Sequence, residues 1–221
     1  MGTVLRFDEL HRLKYKSIPY KEFFGKMYIS KAQMDERIAL AEDIELVMLY
    51  IFAFWDVKDD INMATQEIRD TAIRELTKVY EKYTELDPYI ESHIIVTVDE
   101  IIESTERNTK DTGDTGDTGD TGDTAYWTST DRAMLIAENE ANSLKNYTEY
   151  REAKTSGKTK KKWLTENDEK VRLTHTLVEG KTVDIDGLFL VGNSLMRFPR
   201  DSEYDPDPSE VVNCRCSCVY E

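Results

Sequence analysis

Apolar residues recur three and four positions apart at Met34, Ile38, Ala41, Ile44, Met48, Ile51 and Trp55. That spacing returns to one face of a helix at each turn, and Ser30 with Gln33 supplies a capping box, so a helix over about 31 to 57 is predicted. A second stripe, Ile61, Thr65, Ile68, Ala72, Leu76, Val79 and Tyr83, runs to Asp87-Pro88, with the acidic pair Asp59-Asp60 placed to favour its N-terminus. A third helix is expected over roughly Tyr89 to Arg107, although the β-branched run Ile94 to Val98 also suits a strand. Helices joined by such short connections pack antiparallel, so an N-terminal helical bundle results.

The pattern then breaks. Asp-Thr-Gly occurs four times from Asp111 to Gly122 and is followed by Asp123-Thr124. With no apolar residue to bury and an acid at every third position, this stretch reads as a solvated loop. Its tripeptide matches that of the aspartic proteases, but their chemistry needs one buried carboxylate on each of two apolar lobes, and these copies are tandem and hydrophilic. Four triplets without proline are too few for a collagen helix, and the spaced carboxylates would collect calcium only weakly.

After the repeat the chain reads as α+β. Ser129 or Thr130 can cap a helix whose inner stripe is Met134, Ala137, Ala141 and Leu144, and Gly157 can end it. Short strands are expected at Lys161 to Leu164 and Lys181 to Val183, with a helical turn carrying Arg172 and His175 between them. At the C-terminus Val212, Cys214, Cys216, Cys218 and Tyr220 alternate with Asn213, Arg215 and Ser217, the pattern of a strand with one inward face. The fold class expected is therefore α+β, with a helical domain over 1–107, a loop over 108–124 and a small α+β domain over 125–221.

Charge separates the same regions. Of a net charge of −15, residues 1–124 hold 15 Lys and Arg against 27 Asp and Glu, and residues 125–221 hold 14 against 17. A chain this acidic repels polyphosphate, so no direct binding to duplex DNA is expected. Met1 to Pro19 mixes Arg, Asp, Glu, His and Lys without the apolar stretch of a secretory signal, so the product is expected to stay in a cytosol. The run Ile44 to Trp55 has Glu45 as its first and last acid before Asp56, but twelve helical residues span about 18 Å, short of a hydrocarbon core of about 30 Å. It reads as a buried segment or an oligomer contact, with no membrane role.

The three cysteines, at alternate positions and odd in number, cannot form an intramolecular disulfide framework. Sharing a strand face, Cys214, Cys216 and Cys218 would suit a thiolate zinc site if His175 folded over them as a fourth ligand. Alternate spacing departs from the usual C-x-x-C knuckle, and buried cysteine is a common small core residue, so core packing without a cofactor is the expectation. Arg172 and His175, three apart, could make a catalytic centre with His175 as general base and Arg172 or Arg215 binding an anion. There is no Gly-rich phosphate loop, nucleophile elbow or clear acid pair, so the reading preferred is a structural network of Arg172, His175, Asn213 and Arg215. The basic run Lys158 to Lys162 beside Trp163 reads as a solvated turn leading into a strand, with Trp163 in the core, rather than as a nucleic-acid patch.

Trp163-Leu164-Thr165-Glu166-Asn167-Asp168, Arg172-x-x-His175, Glu179-Gly180-Lys181-Thr182-Val183 and Asn213-Cys214-Arg215-Cys216 follow one another in an order that resembles the phage Mu protein F-like head morphogenesis family. The resemblance runs from about Arg132 to Val219 and includes Glu138 to Ala141, Tyr147, Gly157 and Phe189. Two departures stand out. Val211-Val212 takes the place where the family often has Pro or His-Pro, and Val171 to Thr174 the place where many members have Cys-x-x-Cys. The resemblance implies a minor head protein of a tailed phage or prophage, made in the bacterial host cytoplasm and carried in the procapsid. It would bind the portal protein, and with it scaffold or capsid proteins, and assist DNA packaging or ejection. No enzymatic role comes with it. The acidic helices and an apolar contact at Leu49, Phe52 and Trp55 are the surface expected to meet that partner. Domains resembling this one also occur fused to toxins, so a toxin-like effector, nuclease or transferase using Arg172 and His175 is the alternative. A toxin would need a further catalytic module, and the sequence closes three residues after Cys218.

Overall fold

The computed structural model describes residues 18–59, 63–110 and 124–221. Ile61, Asp60 and the Asp-Thr-Gly repeat at 111–123 lie outside them. The fold is α+β. Among the described residues the helices are α1 (Ile18–Phe24), α2 (Lys31–Val57), α3 (Thr65–Tyr83), α4 (Pro88–Lys110), α5 (Thr130–Thr155), α6 (Leu173–Thr176) and α7 (Pro208–Val211). The strands are β1 (Lys160–Leu164), β2 (Thr182–Asp184), β3 (Phe189–Val191), β4 (Ser194–Met196) and β5 (Ser217–Tyr220). They form two antiparallel sheets, one in the order β2-β1-β5 and the other the hairpin β3-β4.

The chain divides into two compact units, one built from the described residues of Glu42–Ala137 and the other from those of Ser17–Ala41 with Glu138–Glu221. The division falls inside α2 and α5.

In the helical unit, periodicity sets the core. Ile68, Ala72, Leu76 and Tyr80 of α3 are buried, as are Ile90, Ile94, Val98, Ile101 and Ile102 of α4. The β-branched run in α4 is thus helical, with Ile95 and Val96 on the exposed side. Asp59 lies too far upstream to cap α3. The Glu67 carboxylate does so, accepting from Ala64 N at 3.1 Å. Antiparallel pairing shows in the ion pair of Arg69 (α3) with Asp99 (α4) and in the bonds from Lys82 and Tyr83 to Asp43, each 2.6 Å. Phe52 and Trp55 are buried, so the apolar run proposed as a partner contact is mainly core, and of the three residues Leu49 alone keeps appreciable surface. The Arg132 guanidinium lies 5.1 Å from the Phe52 ring and 4.8 Å from that of Trp127, donating to Thr105 Oγ1 and Ser104 Oγ. Burial holds its pKa down to about 10.

The C-terminal unit departs further from the pattern. α5 begins as expected, with Ser129 Oγ accepting from Arg132 N, and ends at Gly157, where φ is +81°. Lys158 N bonds to Ala153 O and Gly157 N to Lys154 O, the paired closure that favours glycine at this position. Within the basic run, read as a solvated turn leading into a strand, Lys161 departs from solvent. It is fully buried, with Nζ donating to Ile185 O at 2.6 Å and lying 4.8 Å from the Tyr150 ring, and burial holds its pKa down to about 8. The last strand starts at Ser217 rather than Val212, because Pro208–Val211 is helical and Asn213 takes φ +56°. Val212 is consequently exposed. Ser217, assigned by alternation to the outer face, is buried and donates to Tyr28 O.

Candidate functional site: a buried His175, Cys214 and Cys216 centre

The segment Asn213 to Cys216 is not held by a sheet. It is held by side chains of α5. Asn142 Nδ2 donates to Cys214 O at 2.9 Å, Asn146 Nδ2 to Pro199 O at 3.1 Å and Cys216 O at 3.5 Å, and Asn139 Oδ1 accepts from Asn213 N at 2.8 Å. These asparagines are fixed in turn. Arg37, with no exposed surface, donates to Asn142 Oδ1 and Asn146 Oδ1 and pairs with both Glu149 carboxylate oxygens at 2.7 and 3.0 Å. Arg200 bonds Asn139 Oδ1 and Ser143 Oγ. Asparagine amides suit this task because each offers both a donor and an acceptor to a backbone whose own groups are buried.

Opposite this segment stands His175 on α6, a single turn opened by Arg172 at its N-cap. Its ring is buried against Trp163 of β1, at 5.9 Å and 81°, and Trp163 packs edge-on against Phe189. His175 Nδ1 is 3.2 Å from Cys216 Sγ and 3.6 Å from Cys214 Sγ, and Nε2 is 3.0 Å from Glu210 Oε2. Glu210 is itself confined, accepting from Thr174 Oγ1 at 2.8 Å. On its other side lies Gly192, in the β3-β4 turn with φ +60°, where an added Cβ would come within 2.5 Å of Oε1. Position 192 therefore demands glycine twice, for its backbone and for the carboxylate beside it.

The electrostatics follow from this packing. Burial lowers the His175 pKa, but hydrogen bonding and charge from Cys214, with help from Glu210, outweigh it and leave the imidazole raised. Within the thiol pair, Cys216 acts as donor. Its hydrogen bond to Cys214, together with His175, draws the Cys214 pKa well below the ordinary thiol value, while the same bond and burial push Cys216 up. Cys218 is pushed up by burial alone in the main and stands apart from the group. Among the described residues, His175, Cys214 and Cys216 are the His, Cys, Asp or Glu donors that converge tightly enough to hold a metal ion, with all donor atoms within 4.8 Å.

The four residues expected to form one network surround one small opening with room for about 20 Å³, lined also by Glu166 and the two sulfurs. The bonds of Arg172, Asn213 and Arg215 run outward from it instead. Arg172 donates to Val212 O, Asn213 pairs with Asn139, and Arg215 Nη2 donates to both Asp168 carboxylate oxygens at 2.8 and 2.9 Å. Glu166 Oε1 has no hydrogen-bond partner, and burial raises that carboxyl to about 7. Sequence reasoning missed Glu210 and the asparagines of α5. The asparagines recur at 139, 142 and 146, a helical spacing that carries polar rather than apolar side chains and so escapes a search for stripes.

A family model described as phage Mu protein F like protein matches residues 97–219. A protein of Enterococcus faecalis (strain ATCC 700802 / V583), named NAD(+)--arginine ADP-ribosyltransferase EFV, is 38% identical over 95 residues. The match covers 41% of this chain and only 19% of that relative's length. No solved structure matches the chain.

Proposed function

Because the chain belongs to the phage Mu protein F-like family, we propose that it is a minor head protein that binds the portal and assists DNA packaging or ejection. The observation that carries this reading is the family match across 97–219, more than half of the chain. The site supports it through its closure: the opening beside His175 admits little more than one water, too small for a substrate of any size. None of the helices among the described residues is long and apolar enough to cross a membrane. Partner binding falls to the acidic helices, which would steer towards a basic surface, and to apolar residues of that unit that reach the surface, the half-buried Leu49 and the exposed Val96 among them. Phe52 and Trp55 serve the core of the unit.

Co-expression with the portal protein, followed by size-exclusion chromatography, tests the proposal. Co-elution that weakens in high salt and in Leu49→Asp supports it. A chain that elutes without portal at every salt concentration overturns it.

The name of the Enterococcus relative favours a second reading, in which this chain is part of a transferase that uses Arg172 and His175. That reading requires label from NAD(+) to reach an arginine-containing acceptor, and requires the transfer to vanish in His175→Ala while the protein stays folded. Transfer of that kind would replace the assembly reading.

A further inference from the structure

We propose that His175, Cys214 and Cys216 bind a soft divalent cation, zinc in the first instance, through Nδ1 and the two sulfurs, with the fourth coordination position facing the small opening lined by Glu166. This departs from the expectation of core packing without a cofactor, and it leaves Cys218 out of the ligand set.

Distance is the first argument. Tetrahedral zinc, with bonds of about 2.3 Å to sulfur and 2.0 Å to nitrogen, sets nitrogen and sulfur ligands about 3.5 Å apart. The observed separations from His175 Nδ1, 3.2 Å to Cys216 and 3.6 Å to Cys214, bracket that value. Without a metal, one ring nitrogen cannot serve both thiols, and Cys216 turns its proton to Cys214 instead. A metal ion in place of the two thiol protons satisfies all three atoms.

Tautomer is the second argument. A carboxylate can only accept, so Glu210 at 3.0 Å fixes the proton on Nε2 and leaves the Nδ1 lone pair aimed at the sulfurs. A carboxylate behind the far nitrogen is the usual support of a metal-bound histidine, because it orients the ring and raises its basicity. Thr174 and Gly192 hold that carboxylate in place.

Charge points the same way. A divalent cation with two thiolates and a neutral imidazole is neutral as a unit, so it suits a pocket in which all three ligands are nearly fully buried. Trp163 Nε1, buried beside Cys216 and turned to its sulfur, offers a donor to the electron-rich sulfur a metal thiolate presents. Soft sulfur donors with one imidazole select zinc or a similar ion over magnesium or calcium.

The test uses the full chain, purified under reducing conditions without chelator. Elemental analysis should find one zinc per chain, and protein stripped of metal should take up cobalt(II) with the near-ultraviolet absorption of two thiolate ligands. Cys218→Ser should keep the metal, whereas Glu210→Gln should weaken binding about 10- to 100-fold and Cys214→Ser or Cys216→Ser more than that. The wild-type titration stands even if a cysteine variant fails to fold. A folded wild-type protein that holds no zinc and gives no thiolate–cobalt absorption overturns the proposal. So does rapid alkylation of Cys214 in such metal-free protein, which would mark a Cys-His-Glu nucleophile instead, or loss of metal in Cys218→Ser equal to that in Cys214→Ser.

Discussion

Along α3 the buried positions are Ile68, Ala72, Leu76 and Tyr80, about one per turn and three of them wholly apolar. In the C-terminal unit comparable depth is occupied by Arg37, Lys161, His175, Asn142, Asn146 and Asp201. The two units face different geometric problems. Long amphipathic helices cover each other with continuous apolar stripes. Strands of three to five residues and one-turn helices leave many backbone groups inside without a ladder, and side chains must satisfy them. Even the buried arginines differ: Arg132 in the helical unit lies between aromatic rings and donates to neutral oxygens, while Arg37 meets a carboxylate and two amides.

The sharpest way to break this contrast is Arg37→Ala. It leaves Glu149, Asn142 and Asn146 without their shared donor, and a loss of about 3–5 kcal/mol is expected in urea unfolding. Asn142→Ala should cost about 1–3 kcal/mol, because the buried Cys214 carbonyl loses its donor. Next comes a pH test of the lysine in the core. Burial depresses the folded pKa of Lys161 to about 8 from 10.5, so between those values the unfolded chain binds more protons than the folded one. Stability from this group rises as pH climbs from 8 to 10.5 and is lost again as pH falls through 8. The stability of wild type relative to Lys161→Met should therefore increase across that window, and a flat difference would refute the assignment.

The helical unit should forgive more. Leu76→Met, fully buried but close in volume, should cost under about 1.5 kcal/mol. Smallest of all, and on the surface of the C-terminal unit, Lys154→Ala removes an ion pair to Asp186 whose partners are both more than half exposed, and thermal unfolding should change by at most about 1 kcal/mol.

The same contrast explains what could be read from the sequence. α2, α3 and α4 were legible because apolar periodicity is itself the cause of their burial. α5 was legible in extent, since Ser129 and Gly157 mark its ends, but its asparagine face was not. Gly192-Asn193, between Val191 and Ser194, is a two-residue hairpin signal, and β3-β4 was missed although it was readable. The C-terminal alternation pointed to buried cysteines but hid the positive φ of Asn213, which ends the pattern before Ser217. Of the candidate site, His175 and the cysteines were legible as residue types. Glu210 was not, because its role depends on a turn of helix and a glycine 18 positions earlier.

The central claim is that buried polar contacts from α5 fix the cysteine segment beside His175, while apolar stripes hold the helical unit independently of them. Native-state amide hydrogen exchange in wild type and Asn142→Ala tests it most directly. The account predicts that protection falls at Cys214 to Ser217 and at His175 to Gly180, and stays unchanged in α3 and α4. Equal loss of protection in both units, or unchanged protection at Cys214 to Ser217, would contradict it.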